Sequence, residues 1–231
     1  MIDTFQTMIT FFTNGGFFMW PLLACSIVMV TTVVLSIMSL RERKVLPLVI
    51  ESEIERLVPG ASADRLLRLV NDDDSSLARV TRAALQHLRW PRSENIEFAQ
   101  TRARAELVRL ERGLIILEVV TGIAPLIGLI GTVAGLVQVF SGLGLSTGAA
   151  DTKAVALGIS MALNCTIFGL SIAVPSLIAF SYFSKKVEVL SVQMESIVSD
   201  LIAKCYYGRT GRDEGRVVRS TAPKPASAPV A

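Results

Sequence analysis

Histidine is almost missing from this chain of 231 residues: His87 is the only one. It has no ligand-type neighbours and is expected to be exposed. The three cysteines, Cys25, Cys165 and Cys205, follow no ligand spacing, so neither a metal site nor a disulfide framework is read. Cys25 and Cys165 fall inside apolar runs, where a thiol packs as a small apolar group. Charge is missing too. No Asp, Glu, Lys or Arg occurs between Asp3 and Arg41, between Glu118 and Asp151, or between Lys153 and Lys185. No nucleophile–base set appears, so no enzyme and no cofactor are expected. The glycine-rich run at 122–135 lacks the Lys-Ser/Thr of a phosphate loop. Residues 1–16 lack a basic leader and a small-residue cleavage site, which argues against a cleaved signal peptide. Net charge +3 is small, and the basic residues sit beside apolar segments, so no nucleic-acid partner is read.

What fills the uncharged stretches is apolar. Hydrophobic residues make up 51% of the chain, and mean hydropathy is +0.52, too apolar for an ordinary soluble domain. A hydrocarbon core needs about 20 helical residues to cross. Three segments qualify: 17–40, with Trp20 near its edge, 114–141 and 154–183. Between the first two lies a charged, helix-favouring region, 41–113, broken at Pro59-Gly60, at 71–76 and at 90–93. Asp72, Asp73 and Asp74 read as a solvated turn or helix start. Ser93 or Asn95 is a candidate cap for the next helix. No breaker follows Arg112, so that helix is expected to run straight into the second span. Residues 142–153 form a short loop, 184–207 a polar helix, and 208–231 an Arg/Gly/Ala/Pro tail unable to bury a core, expected to be disordered. Arg41, Arg43, Lys44, Arg109, Arg112, Lys185 and Lys186 fall on one side of three spans. The positive-inside rule puts that side in the cytoplasm and residues 1–16 and 142–153 outside. The fold class is therefore all-α: an integral membrane protein whose long second and third helices extend into the cytoplasm.

Two of the spans carry small, polar stripes. At 100° per residue, Glu118, Thr121, Pro125, Gly128, Thr132, Gly135 and Val139 share one arc of the second span, and Gly131 with Gly135 adds a close-approach pair. In the third, Gly158, Ala162, Cys165, Thr166, Gly169, Ala173 and Ser176 share a face with Met161 at its edge. Ser160, Asn164 and Ser171 lie on another face. A helix that is small or polar on two faces calls for protein neighbours on both, hence a multi-helix, multi-subunit bundle with an inner wall open to water. Hydroxyls in membrane helices also bond their own i−4 carbonyls. The residues alone leave pore lining and packing both open for Thr132 and Thr166.

Three segments give the chain a resemblance. Gly15-Gly16-Phe17-Phe18-Met19-Trp20-Pro21-Leu22-Leu23 looks like the start of the first helix of ExbB/TolQ proteins. Residues 124–133, Ala-Pro-Leu-Ile-Gly-Leu-Ile-Gly-Thr-Val, resemble that family's second-helix signature, and residues 158–175, including Pro175, its third. The resemblance to the ExbB/TolQ/MotA proton-channel family covers about residues 15–190 and is closer to ExbB/TolQ than to MotA. It implies a homo-pentamer whose second and third helices line a central pore in the bacterial inner membrane. It implies an ExbD/TolR-like single-span partner with a transmembrane Asp, and a TonB- or TolA-like protein beyond it. Thr132 and Thr166 match the family's two pore threonines. Thr121, Cys165, Met161 and Glu118 would lie along the ion pathway, and Pro125, Gly128, Gly131, Gly135, Gly158, Ala162, Gly169 and Pro175 would pack helices. Met161 departs from the pattern, because ExbB and TolQ of the well-known type carry Glu there and Met exchanges no proton. Moving one charge through 100 mV is worth about 2.3 kcal/mol. Harvesting it needs a mid-membrane group that changes charge, and the spans of this chain hold no such carboxylate. It must come from another chain. A non-conducting membrane scaffold, favoured by Met161, and a flagellar or gliding stator subunit are the alternatives.

Overall fold

The computed structural model describes residues 16–145 and 152–220, and side chains over 16–141 and 155–207. The N-terminal residues 1–15 and the loop centre 146–151 thus lie outside the described residues. Among the described residues seven helices follow in order: α1 Met19–Ser39, α2 Glu42–Val45, α3 Leu48–Arg56, α4 Asp64–Asp72, α5 Ser76–Gln86, α6 Arg92–Leu145 and α7 Thr152–Ser220. Three of them, α1, α6 and α7, are long and apolar enough to cross a membrane. With no breaker between Arg112 and the apolar run, α6 is one helix from the charged region through the span. The last helix continues to Ser220, so the helix does not end at 207 where the tail was expected to begin. Residues 221–231 of that tail lie outside the described residues.

The chain divides into two compact units. One comprises Met1–Leu40 with Leu110–Val187, the other Arg41–Arg109 with Glu188–Ala231. In the first, α1 lies against the apolar stretches of α6 and α7. Its core joins Met19 and Leu22 of α1 to Val120 and Ala124 of α6 and to Cys165, Ile172 and Ala173 of α7. The opposite faces stay open: Leu126, Ile130, Val133 and Val137 of α6 and Ile167, Leu170 and Val174 of α7 are exposed. Open apolar faces of this extent belong in lipid or against other apolar helices.

The second unit is held by polar ties between elements distant in sequence. Ser75 caps α5, its hydroxyl accepting from the Ala78 N–H at 3.2 Å. Asp73 anchors the same turn by accepting from the Ser75 N–H at 2.6 Å. Asn95 is no cap. It is wholly buried, and its amide donates to Ala84 O at 3.1 Å and to Tyr206 Oη at 3.2 Å. Tyr206 in turn donates to Trp90 O at 2.8 Å. His87 is half-buried rather than exposed, its ring centroid 4.2 Å from that of Trp90 and 4.3 Å from that of Phe98.

Arg79 of α5 donates to both carboxylate oxygens of Glu106 of α6, at 2.8 and 2.5 Å. Burial pushes the Glu106 carboxyl up. The Arg79 hydrogen bonds and charge, helped by Arg109 and Arg102, overcome that and hold it below the usual carboxylate range. Removing one partner of a buried pair leaves the other charge uncompensated. Glu106→Ala is therefore expected to destabilise this unit by about 3 kcal/mol, read as a lowered melting temperature of the detergent-solubilised chain. A carboxyl with a depressed pKa stabilises the fold while it is ionised. The contribution of Glu106 should be full above the ordinary carboxylate pKa and fade only as pH falls through its lower folded value.

Candidate functional site

The two small-residue stripes meet each other within a single chain. Along α6, the residues Leu117, Thr121, Ala124, Gly128, Gly131 and Gly135 alternate in steps of four and three. That spacing keeps a seam facing an antiparallel partner. On α7 the facing residues are Ala162, Cys165, Thr166, Gly169, Ala173 and Ser176. The approach is as close as backbones allow. A Cβ placed on Gly169 would stand 2.7 Å from Ala124 O and 3.3 Å from Gly128 Cα. One on Gly128 would stand 2.9 Å from Cys165 O, and one on Gly135 2.9 Å from Ala162 Cβ. Gly131 faces Cys165 and Phe18, and Gly158 faces Val139 with no room for a Cβ. Such contacts permit the dispersion and hydroxyl–carbonyl bonding that hold helices together where no hydrophobic effect operates.

Two hydroxyl pairs interrupt this seam. Thr132 and Thr166 lie in direct hydrogen-bond contact. The Thr132 hydroxyl also reaches Gly128 O and Ala162 O, each at 3.1 Å, and the Thr166 hydroxyl reaches Gly128 O at 3.3 Å. A hydroxyl has one proton to give and two lone pairs to receive with. With one proton bridging the two hydroxyls, the other serves a backbone carbonyl, so what the pair retains for an outside group is acceptor capacity. Both side chains are only half-buried, so an approaching group has access. The site is thus suited to a protonated carboxyl, a hydronium or a small cation, and less to a bare carboxylate. In the second pair, Thr121 and Ser176 bond at 3.0 Å, and both reach Leu117 O, at 2.8 and 3.1 Å.

Other residues singled out from the sequence fall differently. Glu118, Met161 and Pro175 are exposed rather than packed into the seam, and Met161 is 39% exposed. Pro125 is half-buried within α6. Cys165, expected along the ion pathway, is buried against Gly131. The neighbour required by each small stripe was expected in another subunit. It lies in the same chain, because antiparallel α6 and α7 present their stripes to one another. Ser176, wholly buried, completes the second pair. Its sequence signal was its place on the small face of α7. Among the described residues no group of His, Cys, Asp and Glu is arranged to hold a metal ion.

Comparison with known proteins gives a consistent picture. The profile of the MotA/TolQ/ExbB proton channel family matches residues 72–196. A protein named biopolymer transport protein ExbB-like 1 in Synechocystis sp. is 33% identical over 177 residues, covering 73% of this chain and 67% of that protein. A biopolymer transport protein ExbB of Helicobacter pylori is 43% identical over 82 residues, 36% of this chain and 56% of that protein. One of Aquifex aeolicus is 34% identical over 106 residues, 46% of this chain and 70% of that protein.

Proposed function

This chain belongs to the MotA/TolQ/ExbB proton channel family, and on that premise we propose that it is the channel-forming subunit of a proton-driven inner-membrane motor. Five copies surround a pore lined by the spans of α6 and α7. An ExbD/TolR-like single-span partner sits in that pore and carries the titrating Asp. A TonB- or TolA-like protein takes the resulting force to the outer envelope. The observation that carries this reading is the Thr132–Thr166 pair. It offers acceptor oxygens mid-span, in the two signature segments, in a chain whose span centres hold no carboxylate. Such a pair stabilises the protonated form of a visiting carboxyl and leaves the ionised form to seek water. That difference is what a proton-carrying cycle needs.

The test is replacement in cells. Deleting the chain should abolish the partner-dependent envelope function, and the wild-type chain should restore it only when the partner is also present. Restoration without any single-span partner would exclude this role. Topology follows from the same reading, with residues 41–113 and 184–231 cytoplasmic. Cysteines introduced at Gly148 and at Ser75 should label from opposite sides of the membrane, whereas labelling of both from the periplasm would rule out three spans. Met161, exposed where a Glu would exchange protons, favours a second reading, a scaffold that holds a partner and conducts nothing.

A further inference from the structure

The second hydroxyl pair lies where both spanning helices are mechanically weak. Proline has no N–H and its ring crowds the carbonyl four residues back, so a helix bends most easily there. Pro125 of α6 denies a helical donor to the carbonyl of Thr121, and Pro175 of α7 directly precedes Ser176. The two weak turns face one another: Ala124 and Ala173, beside the prolines, share one buried cluster. Across this level runs a second set of hydroxyl contacts between the spans of α6 and α7, besides the Thr132–Thr166 pair. The arrangement that uses each proton once has Thr121 donating to Ser176 at 3.0 Å and Ser176 donating to Leu117 O at 3.1 Å. Ser176 is wholly buried, so water does not compete for its hydroxyl.

We propose that Thr121, Ser176 and the Leu117 carbonyl form a latch that holds the two proline-weakened spans straight against each other, and that opening it lets α6 and α7 bend apart at Pro125 and Pro175. The latch acts on the shape of the seam and touches no ion. Thr121 is thereby a positioning residue. Backbone contact at Gly128 and Gly169 seals the seam between the two hydroxyl pairs, so the latch is not a relay station fed by Thr132 and Thr166.

The experiment measures shape rather than conduction, so its outcome is separable from that of the proposed function. Spin labels are placed on keto amino acids at Ile115 and Tyr182, both exposed, in the full chain. Labelled chain is diluted with unlabelled chain in lipid nanodiscs, and intrachain distances are read by pulsed electron resonance. Wild type should show one distance. Thr121→Val, which keeps the shape and removes the hydroxyl, and Ser176→Ala should each add a second, longer one. Adding Pro125→Ala with Pro175→Ala should return the single distance. Ser171→Ala should change nothing, since that exposed hydroxyl bonds only Ile167 O of its own helix, at 2.7 Å. A wild-type distribution in the Thr121→Val, Ser176→Ala double variant, or a second distance that persists once the prolines are gone, would overturn the latch. Should Ser176→Ala lower the yield, the near-isosteric Thr121→Val alone carries the test.

Discussion

Gly169→Leu should leave almost no correctly folded chain in the membrane. At Gly169 a new side chain meets Ala124 O and the Gly128 backbone, and neither can swing aside as a flexible side chain would. Overpacking a tight contact costs about 1–3 kcal/mol. Here the obstacle is backbone on backbone, so relief comes only by separating α6 from α7, which also breaks both hydroxyl pairs. Gly135→Leu, facing Ala162 Cβ at 2.9 Å from an added Cβ, should be a milder version. Limited proteolysis and thermal melting in detergent read the effect on the subunit itself. Assembly should fall only as far as folded subunit falls, because these glycines join helices of one chain. A well-folded Gly169→Leu monomer with oligomerisation selectively lost would show that the seam belongs between subunits instead.

The second large effect concerns the Thr132–Thr166 pair. Thr132→Val combined with Thr166→Val keeps side-chain volume and removes both hydroxyls. The Gly128 and Ala162 carbonyls lie inside continuous helices, where an N–H four residues on serves each of them, so folding should suffer little. A visiting protonated carboxyl or cation loses its acceptors, and leaving its donor unsatisfied costs roughly 1–3 kcal/mol. Turnover should fall about tenfold to a hundredfold with assembled complex unchanged. Thr→Ser at both positions should be far milder. Since the pair retains acceptor rather than donor capacity, a partner whose Asp is changed to Asn should not be rescued by any substitution at Thr132 or Thr166.

These two effects differ in how far the sequence foretells them. Each stripe is legible from one helix, because a period of 3.6 places Gly128, Thr132 and Gly135 together whatever they touch. The identity of the facing surface is not legible, since a small face fits a helix of the same chain and of a neighbour equally well. Helix α6 was readable as continuous because only Gly113 separates Arg112 from the apolar run, and a helix tolerates an isolated glycine. The cap of α6 was less so: Ser93 and Asn95 are both good capping types, and only the fold sends Asn95 inward to Ala84 and Tyr206. The Arg79–Glu106 pair joins residues 27 positions apart in a region rich in both charges. Periodicity cannot choose one partner among many there. His87 looked solvated because no polar neighbour claims it in sequence, yet Trp90 and Phe98 enclose it from the next turn and the next helix.

On the proposed function, the chain conducts protons only with a carboxylate supplied by a single-span partner and received at Thr132 and Thr166. Proton flux into liposomes under an imposed membrane potential addresses it most directly, measured for the chain alone, with the partner, and with the partner plus the Thr132→Val, Thr166→Val double variant. The expected result is no flux from the chain alone, flux with the partner, and a loss of most of that flux in the double variant. Undiminished flux in the double variant, or no flux with the partner present, would contradict it.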